Sequence, residues 1–97
     1  MFEIEHQPTF PGSIKIKSFG RVQTLEVTFR VKTRDEFLAL VKEKTGEEAF
    51  LELVEKWNAK APLDKDSVAK LEQSQPGTCW VVVNHYGEQM VAAREGN

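Results

Sequence analysis

The sequence predicts an α+β fold, mainly α, in which an N-terminal β-hairpin at about 13–32 is followed by four helices at about 34–44, 46–58, 65–73 and 76–94. Two observations predict this order. Apolar and polar residues alternate along the predicted hairpin as far as Lys32. From Arg34 onward, the apolar residues recur at spacings of three and four residues. With 97 residues, the chain is predicted to form a single domain, 1–97, whose core needs no disulfide or metal.

The hairpin is predicted by two alternating runs, 13–18 and 23–32, with a turn at Phe19-Gly20-Arg21 between them. Each run has one apolar face, and the helices that follow are expected to cover it. Residues 1–12 show no periodicity and contain two prolines and a glycine, which predicts a flexible arm.

Two capping boxes predict the first two helices. Thr33 with Glu36 predicts a helix start at Arg34, and Thr45 with Glu48 predicts another start after Lys44. The apolar spacing of the second helix continues as far as 57 or 58, so we expect it to end there.

The third helix is predicted from Asp64, which can cap a segment over 65–73, after Pro62 has forced Ala61 into an extended conformation. The residues alone do not decide whether the segment 78–86 is a helix or a strand. Its β-branched and aromatic residues favour a strand, whereas helical spacing and a proline at 76, suited to a first helical position, favour a helix.

Charge is unevenly distributed, although the formal net charge is only −2. The segment 14–34 is basic and the segment 35–56 is acidic. Solvated faces explain most such patterns. A second interpretation is that the hairpin has a basic face that holds an acidic partner. The predicted partner-binding residues are two aromatics outside the helical core and four cations of the hairpin: Phe10, Phe19, Lys15, Lys17, Arg30 and Lys32.

No residue set supports catalysis, a metal site or a cofactor. His6 and His85 are far apart in sequence and have no acid or thiol at ligand spacing. Cys79 is the only cysteine, so no intramolecular disulfide can form, and it is expected to pack as a small hydrophobe. The N-terminus lacks the pattern of a signal peptide, and no apolar run is long enough to span a membrane. We therefore expect a cytoplasmic protein that is not an enzyme.

The order of Trp57, Pro62-Leu63-Asp64, Pro76-Gly77 and Tyr86, with Gly96-Asn97 at the end, resembles the tail assembly chaperones of long-tailed, lambda-like bacteriophages and prophages. The segment 34–41, after a strand, is similar to the first helix of that family, and the likeness covers about 22–97. The resemblance implies that the last segment is a helix. The predicted structural anchors are Trp57, Pro62, Leu63, Pro76, Gly77, Trp80 and Tyr86.

The resemblance also implies a function. Members of this family bind the tape-measure protein, keep it soluble and help recruit tail-tube subunits, and they are absent from the mature virion. It implies a location in the cytoplasm of the infected or lysogenic host, and in some members a longer, frameshifted form. A free hairpin edge also predicts a homo-oligomer. The alternative is a small nucleic-acid-binding or regulatory module that uses the basic face of the hairpin, although net acidity makes nucleic acid the weaker candidate.

Overall fold

The computed structural model describes residues 1–5 and 7–92. A three-stranded antiparallel sheet, whose strands lie side by side in chain order, packs against helices. The elements in chain order are β1 (Thr9–Ser18), β2 (Arg21–Arg30), α1 (Arg34–Glu43), α2 (Gly46–Leu53), β3 (Val54–Trp57), α3 (Lys65–Ser74) and α4 (Thr78–Met90). The predicted order, a hairpin followed by four helices, is therefore wrong, because a third strand interrupts the helices after α2.

The hairpin is longer than predicted and its turn is tighter. β1 begins at Thr9 rather than at Ser13, so four residues of the predicted arm pair with β2. Ser18 pairs with Arg21, which leaves a turn of two residues. Those residues, Phe19 and Gly20, have φ of 52° and 77°. Two successive positive φ values are typical of a type I′ turn, whose twist matches that of the flanking strands.

The predicted second helix, 46–58, ends at Leu53 because the next residues complete the sheet. Val54 is already extended, with φ −97° and ψ 121°, and pairs with Phe29 across the second edge of β2. The Arg30 guanidinium donates hydrogen bonds to the carbonyl oxygens of Leu51, Glu52 and Val54 at 3.1–3.3 Å. A cation bonded to the last carbonyls of a helix stabilises that helix end. The helical spacing of the apolar residues concealed this change of conformation.

The predicted helix starts are confirmed for the first three helices. Thr33 and Thr45 each accept a hydrogen bond at 3.2 Å from the backbone N–H of the glutamate three residues later, and each glutamate accepts one in return. Asp64 caps α3 by accepting from the Ser67 N–H at 2.8 Å. Local capping chemistry therefore sets these boundaries.

The last segment is a helix, as the resemblance implied, but its predicted bounds, 76–94, need correction. Pro76 and Gly77 form a turn before Thr78, in which the Thr78 N–H donates to the Gln75 carbonyl at 3.2 Å. Gly77 has φ 90° and ψ −8°, the values of the third position of a type II turn, which favours proline in the second position. The helix ends at Met90, since Val91 is extended. Residues 93–94 of the predicted helix lie outside the described residues.

The core lies between the inner face of the sheet and α2 and α4. Tyr86, Phe29 and Phe50 are its largest fully buried side chains. At Gly12 the backbone of β1 approaches the Phe29 ring so closely that a Cβ there would collide with it. Glycine is therefore required at this position by packing. Other core residues are Ile14, Ile16, Val27, Leu40, Ala49, Leu53, Val54, Val68, Cys79, Val82 and Val83.

Candidate functional site

A groove of about 570 Å³ lies beside the tip of the hairpin. One wall is the inner face of β1 and β2 near the turn, and the other is formed by the loop after β3, by α3 and by the start of α4. Its large apolar residues are Ile16, Leu25, Trp57 and Leu71, of which all but Ile16 are partly exposed. The groove is therefore an exposed continuation of the core, and none of the residues that the structure describes covers it.

Trp57, the last residue of β3, is held in the groove from two sides. Its ring packs against Phe50 at a centroid distance of 5.8 Å and an angle of 65°. Its indole N–H donates to the Ala61 carbonyl oxygen at 2.9 Å, which fixes the loop that follows. A partly exposed tryptophan whose N–H is bonded presents an apolar ring in a fixed orientation.

The loop after β3 is fixed to β2 by Asn58. The Asn58 N–H donates to the Glu26 carbonyl at 3.0 Å, and the Glu26 N–H donates to the Asn58 side-chain oxygen at 3.0 Å. The Asn58 amide also donates to the Thr24 carbonyl at 3.4 Å. These bonds extend the β2–β3 pairing past Trp57 and make this wall of the groove part of the sheet.

The charges that line the groove are all positive. Arg21 comes from the turn end of β2, Lys60 from the loop after β3 and Lys70 from α3, and all three are exposed. Among the residues that the structure describes, no Asp or Glu lines this groove. A chain of net charge −2 therefore carries a local positive patch around apolar residues.

The end of the groove at α4 is anchored by Glu72 of α3. Its carboxylate accepts hydrogen bonds from the Gly77 N–H at 2.6 Å and the Cys79 N–H at 3.0 Å. Burial opposes the charged form, but these two bonds and that of the Cys79 thiol together outweigh burial and lower the pKa of Glu72. The Glu72 carboxylate takes the role of an N-cap side chain for α4, because the N-cap residue, Gly77, has no side chain.

The one thiol of the chain cannot act as a nucleophile at neutral pH. Burial, together with the hydrogen bond to the Glu72 carboxylate, raises the pKa of Cys79 to about 12. The thiolate is the reactive form of cysteine, so this thiol is inert. Within 1–5 and 7–92, the structure has no cluster of three or more His, Cys, Asp or Glu residues that could hold a metal ion. His6 lies outside the described residues.

The two aromatic residues predicted to bind a partner lie at opposite ends of the hairpin. Phe19 is at the turn and is 91% exposed. Phe10 is partly buried at the other end, where its ring lies 5.2 Å from that of Phe29 and 5.4 Å from that of Tyr86. The structure does not bring them together.

The four cations predicted to bind a partner do not form one patch either. Lys15 and Lys17 lie exposed on the outer face of the hairpin. Arg30 is six residues along β2 from the partner of Lys15, about 20 Å at the usual rise of a strand, and its guanidinium is bonded to α2. Lys32 follows β2, and its N–H donates to the Tyr86 hydroxyl at 2.7 Å. The predicted basic face, on which the nucleic-acid alternative depended, is therefore divided.

Of the predicted anchors, Tyr86 is the most deeply buried, at 1% exposure. Its hydroxyl accepts from the Lys32 N–H and donates to the Arg30 carbonyl at 2.9 Å, so it joins α4 to the end of the hairpin. Leu63 packs partly buried against the core, whereas Trp80 is 39% exposed on the surface of α4. Pro62, Pro76 and Gly77 are exposed loop residues.

Sequence reasoning missed Arg21, Lys60 and Lys70 as a group. They come from three elements far apart in sequence, so only the tertiary structure brings them together. A partial signal was present in Leu25, an apolar position of the hairpin close to its turn and therefore far from the helices that were expected to cover it.

A family model described as phage tail assembly chaperone matches residues 1–97. Neither the curated proteins nor the solved structures contain a match to this chain. Within the described residues, none of the helices has the length and hydropathy needed to cross a membrane.

Proposed function

The chain belongs to the phage tail assembly chaperone family, and from this premise we propose that it binds the tape-measure protein, keeps it soluble and helps recruit tail-tube subunits. The single observation that carries the proposal is the family match, which extends over residues 1–97. A chaperone family points to a role that is not enzymatic, and the inert Cys79 thiol agrees with it.

The surface of the described chain supports a role in binding an apolar client. Phe19, Val22, Leu38 and Val81 lie in the hairpin and the helices and are between 45% and 91% exposed. Phe19 also occupies a left-handed conformation that costs a non-glycine residue about 1–2 kcal/mol. A strained, exposed aromatic residue is a reason to propose contact with a partner.

The proposal places the protein in the cytoplasm of the infected or lysogenic host and excludes it from the mature virion. We also propose that the chain forms a homo-oligomer, because β1 lies at an edge of the sheet and can pair with a second strand. Light scattering of the purified chain gives its mass, and a monomer at all concentrations would remove the oligomer from the proposal. A frameshifted longer form would carry the same domain.

Co-expression tests the central claim. The chain is produced together with the tape-measure protein of the same phage, and the soluble fraction is separated by size-exclusion chromatography. We expect the tape-measure protein to be insoluble alone and to elute with the chain when both are present. Tail-tube protein added to that complex should bind it. If the tape-measure protein stays insoluble in the presence of the folded chain, the proposed function is wrong.

A further inference from the structure

We propose that the groove beside the hairpin tip binds an amphipathic helix of the client, with apolar side chains on its floor and Asp or Glu side chains against Arg21, Lys60 and Lys70. This inference rests on the proposed function, that the chain binds the tape-measure protein. It adds the surface that binds and the chemistry of the segment that is bound.

The floor of the groove suits apolar side chains. Leu25, Trp57 and Leu71 are partly exposed there, beside the buried Ile16. Covering this surface removes apolar area from water, and tryptophan held in place by its own hydrogen bond loses little further freedom on binding. The volume of about 570 Å³ is within the roughly 300–1,000 Å³ typical of ligand pockets and accommodates several side chains of one helix face.

The rim of the groove selects the sign of the partner's charge. Three cations and no acid line it in the described structure, so a helix with acidic residues beside its apolar face is attracted, and a basic one is repelled. These cations are exposed, so their attraction is screened by salt over about 10 Å at 0.1 M. The binding should therefore weaken as salt rises.

The walls favour a helix over an extended strand. β2 is the central strand of the sheet, and α3 uses its backbone groups within the helix, so these walls offer no free strand edge to pair with. A segment bound there must satisfy its own backbone hydrogen bonds, as a helix does. β1 has a free edge, but the groove lies on the inner face of the hairpin.

A second copy of this chain is a poorer occupant. The helix of a second copy that carries three acids and no cation is α2, with Glu47, Glu48 and Glu52, but the apolar side of α2 is closed in its own core. Phe50 and Leu53 in that helix have 0% exposure. The acids of α2 cannot be presented beside an apolar face unless the chain unfolds.

The test uses the fluorescence of Trp57. Trp80→Phe removes the other of the two tryptophans, so that the emission reports on the groove alone. Overlapping peptides from the tape-measure protein, each long enough for about four helical turns, or roughly 15 residues, are titrated into the folded chain. We expect the peptides that bind to be amphipathic and acidic, and to shift the Trp57 emission to shorter wavelength.

The matched variants are R21E/K60E/K70E in the groove and R34E/K42E/K56E at exposed positions outside it. Both triple variants change the net charge equally. We expect the groove variant to weaken peptide binding roughly tenfold or more, and the control variant less than about twofold. A peptide whose acids are replaced by lysine should bind the groove variant better than it binds the unaltered groove.

Equal binding by the two variants overturns the proposal, as does the absence of any bound peptide. In either case a soluble complex of full-length proteins would leave the proposed function standing. If no such complex forms, the proposed function itself is wrong. Circular dichroism confirms folding, and if the triple reversal prevents it, R21Q/K60Q/K70Q is compared with R34Q/K42Q/K56Q under the same criteria.

Discussion

The two ends of the hairpin have the same alternation of residues and different surroundings. At the open end, where the chain enters and leaves, Phe29 is fully buried, with Phe10 and Tyr86 against it. At the turn end, Leu25 is only partly buried and faces a groove. The difference arises because Tyr86 of α4 packs directly on the open end, whereas a groove separates the sheet at the turn end from α3 and the start of α4. One end of the hairpin therefore stabilises the fold, and the other is available for binding.

Removal of one large side chain from each end should give the largest contrast. Phe29→Ala creates a cavity in the core and should lower the free energy of unfolding by about 3–5 kcal/mol. Leu25→Ala should cost about 1 kcal/mol, because a partly buried leucine has only part of its transfer free energy to lose. Urea denaturation followed by circular dichroism measures both.

Similar losses at the two ends would contradict the division into a stabilising end and a binding end. Peptide binding should depend on the turn end of the hairpin instead. Leu25→Ala should weaken peptide binding more than its small cost in stability suggests, since Leu25 lies on the floor of the groove.

A smaller contrast is expected between two hydrogen-bonded aromatic side chains. Tyr86→Phe leaves the Lys32 N–H and the Arg30 carbonyl without their partner, which should cost about 1–3 kcal/mol because these groups are part-buried. Trp57→Phe removes the bond to the Ala61 carbonyl, where water can replace the indole, and should cost about 1 kcal/mol. Thermal unfolding of both variants measures the difference, and a larger loss for Trp57→Phe would reverse the comparison.

The parts of the fold that were predictable are those that local interactions determine. Helix starts were predicted because capping is local: Thr33, Thr45 and Asp64 each bond a backbone N–H three residues away. The alternation of the hairpin was likewise visible in sequence. These features depend on neighbours along the chain, which a pattern can detect.

The third strand was not predictable, because its cause is tertiary. Residues 54–57 continue the helical spacing of α2, but they pair with β2, and Arg30 bonds the end of that helix from more than twenty residues away. The start of α4 was misplaced for the same kind of reason. Its cap is Glu72 in another helix, and Gln75-Pro76-Gly77 form a turn.

The candidate site was predicted least well. Phe19 is exposed as expected, and its role in binding stays a prediction. Lys15, Lys17, Arg30 and Lys32 were grouped because they are close in sequence, but strand geometry separates them. Arg21 was predicted only as part of the hairpin turn, yet it lines the groove with two cations from the second half of the chain.

At the turn end itself, Phe19→Asn should increase stability. Asparagine tolerates the left-handed conformation and is favoured before glycine in a type I′ turn, so the gain should be about 1 kcal/mol. If Phe19 contacts the client, the same substitution should reduce recovery of soluble tape-measure protein. Phe19→Ala is the matched control, because it removes the ring and keeps the strained conformation. Full client recovery with both variants would exclude Phe19 from the binding surface.

The Glu72 carboxylate holds the start of α4 beside the groove without lining it, and its contribution to stability should depend on pH. Because the pKa of Glu72 in the folded chain is lowered below its ordinary value of 4.5, the carboxylate stabilises the fold fully above about 4.5, and this stabilisation is lost as pH falls through the lowered pKa. Glu72→Gln should therefore cost about 1 kcal/mol at pH 7, as the loss of a helix cap does. The two proteins should become equally stable at acidic pH. Glu88→Gln, at an exposed position of α4, controls for the loss of one negative charge. A cost for Glu72→Gln that is the same at pH 7 and pH 3 would show that its shape, and not its charge, anchors this end of the groove.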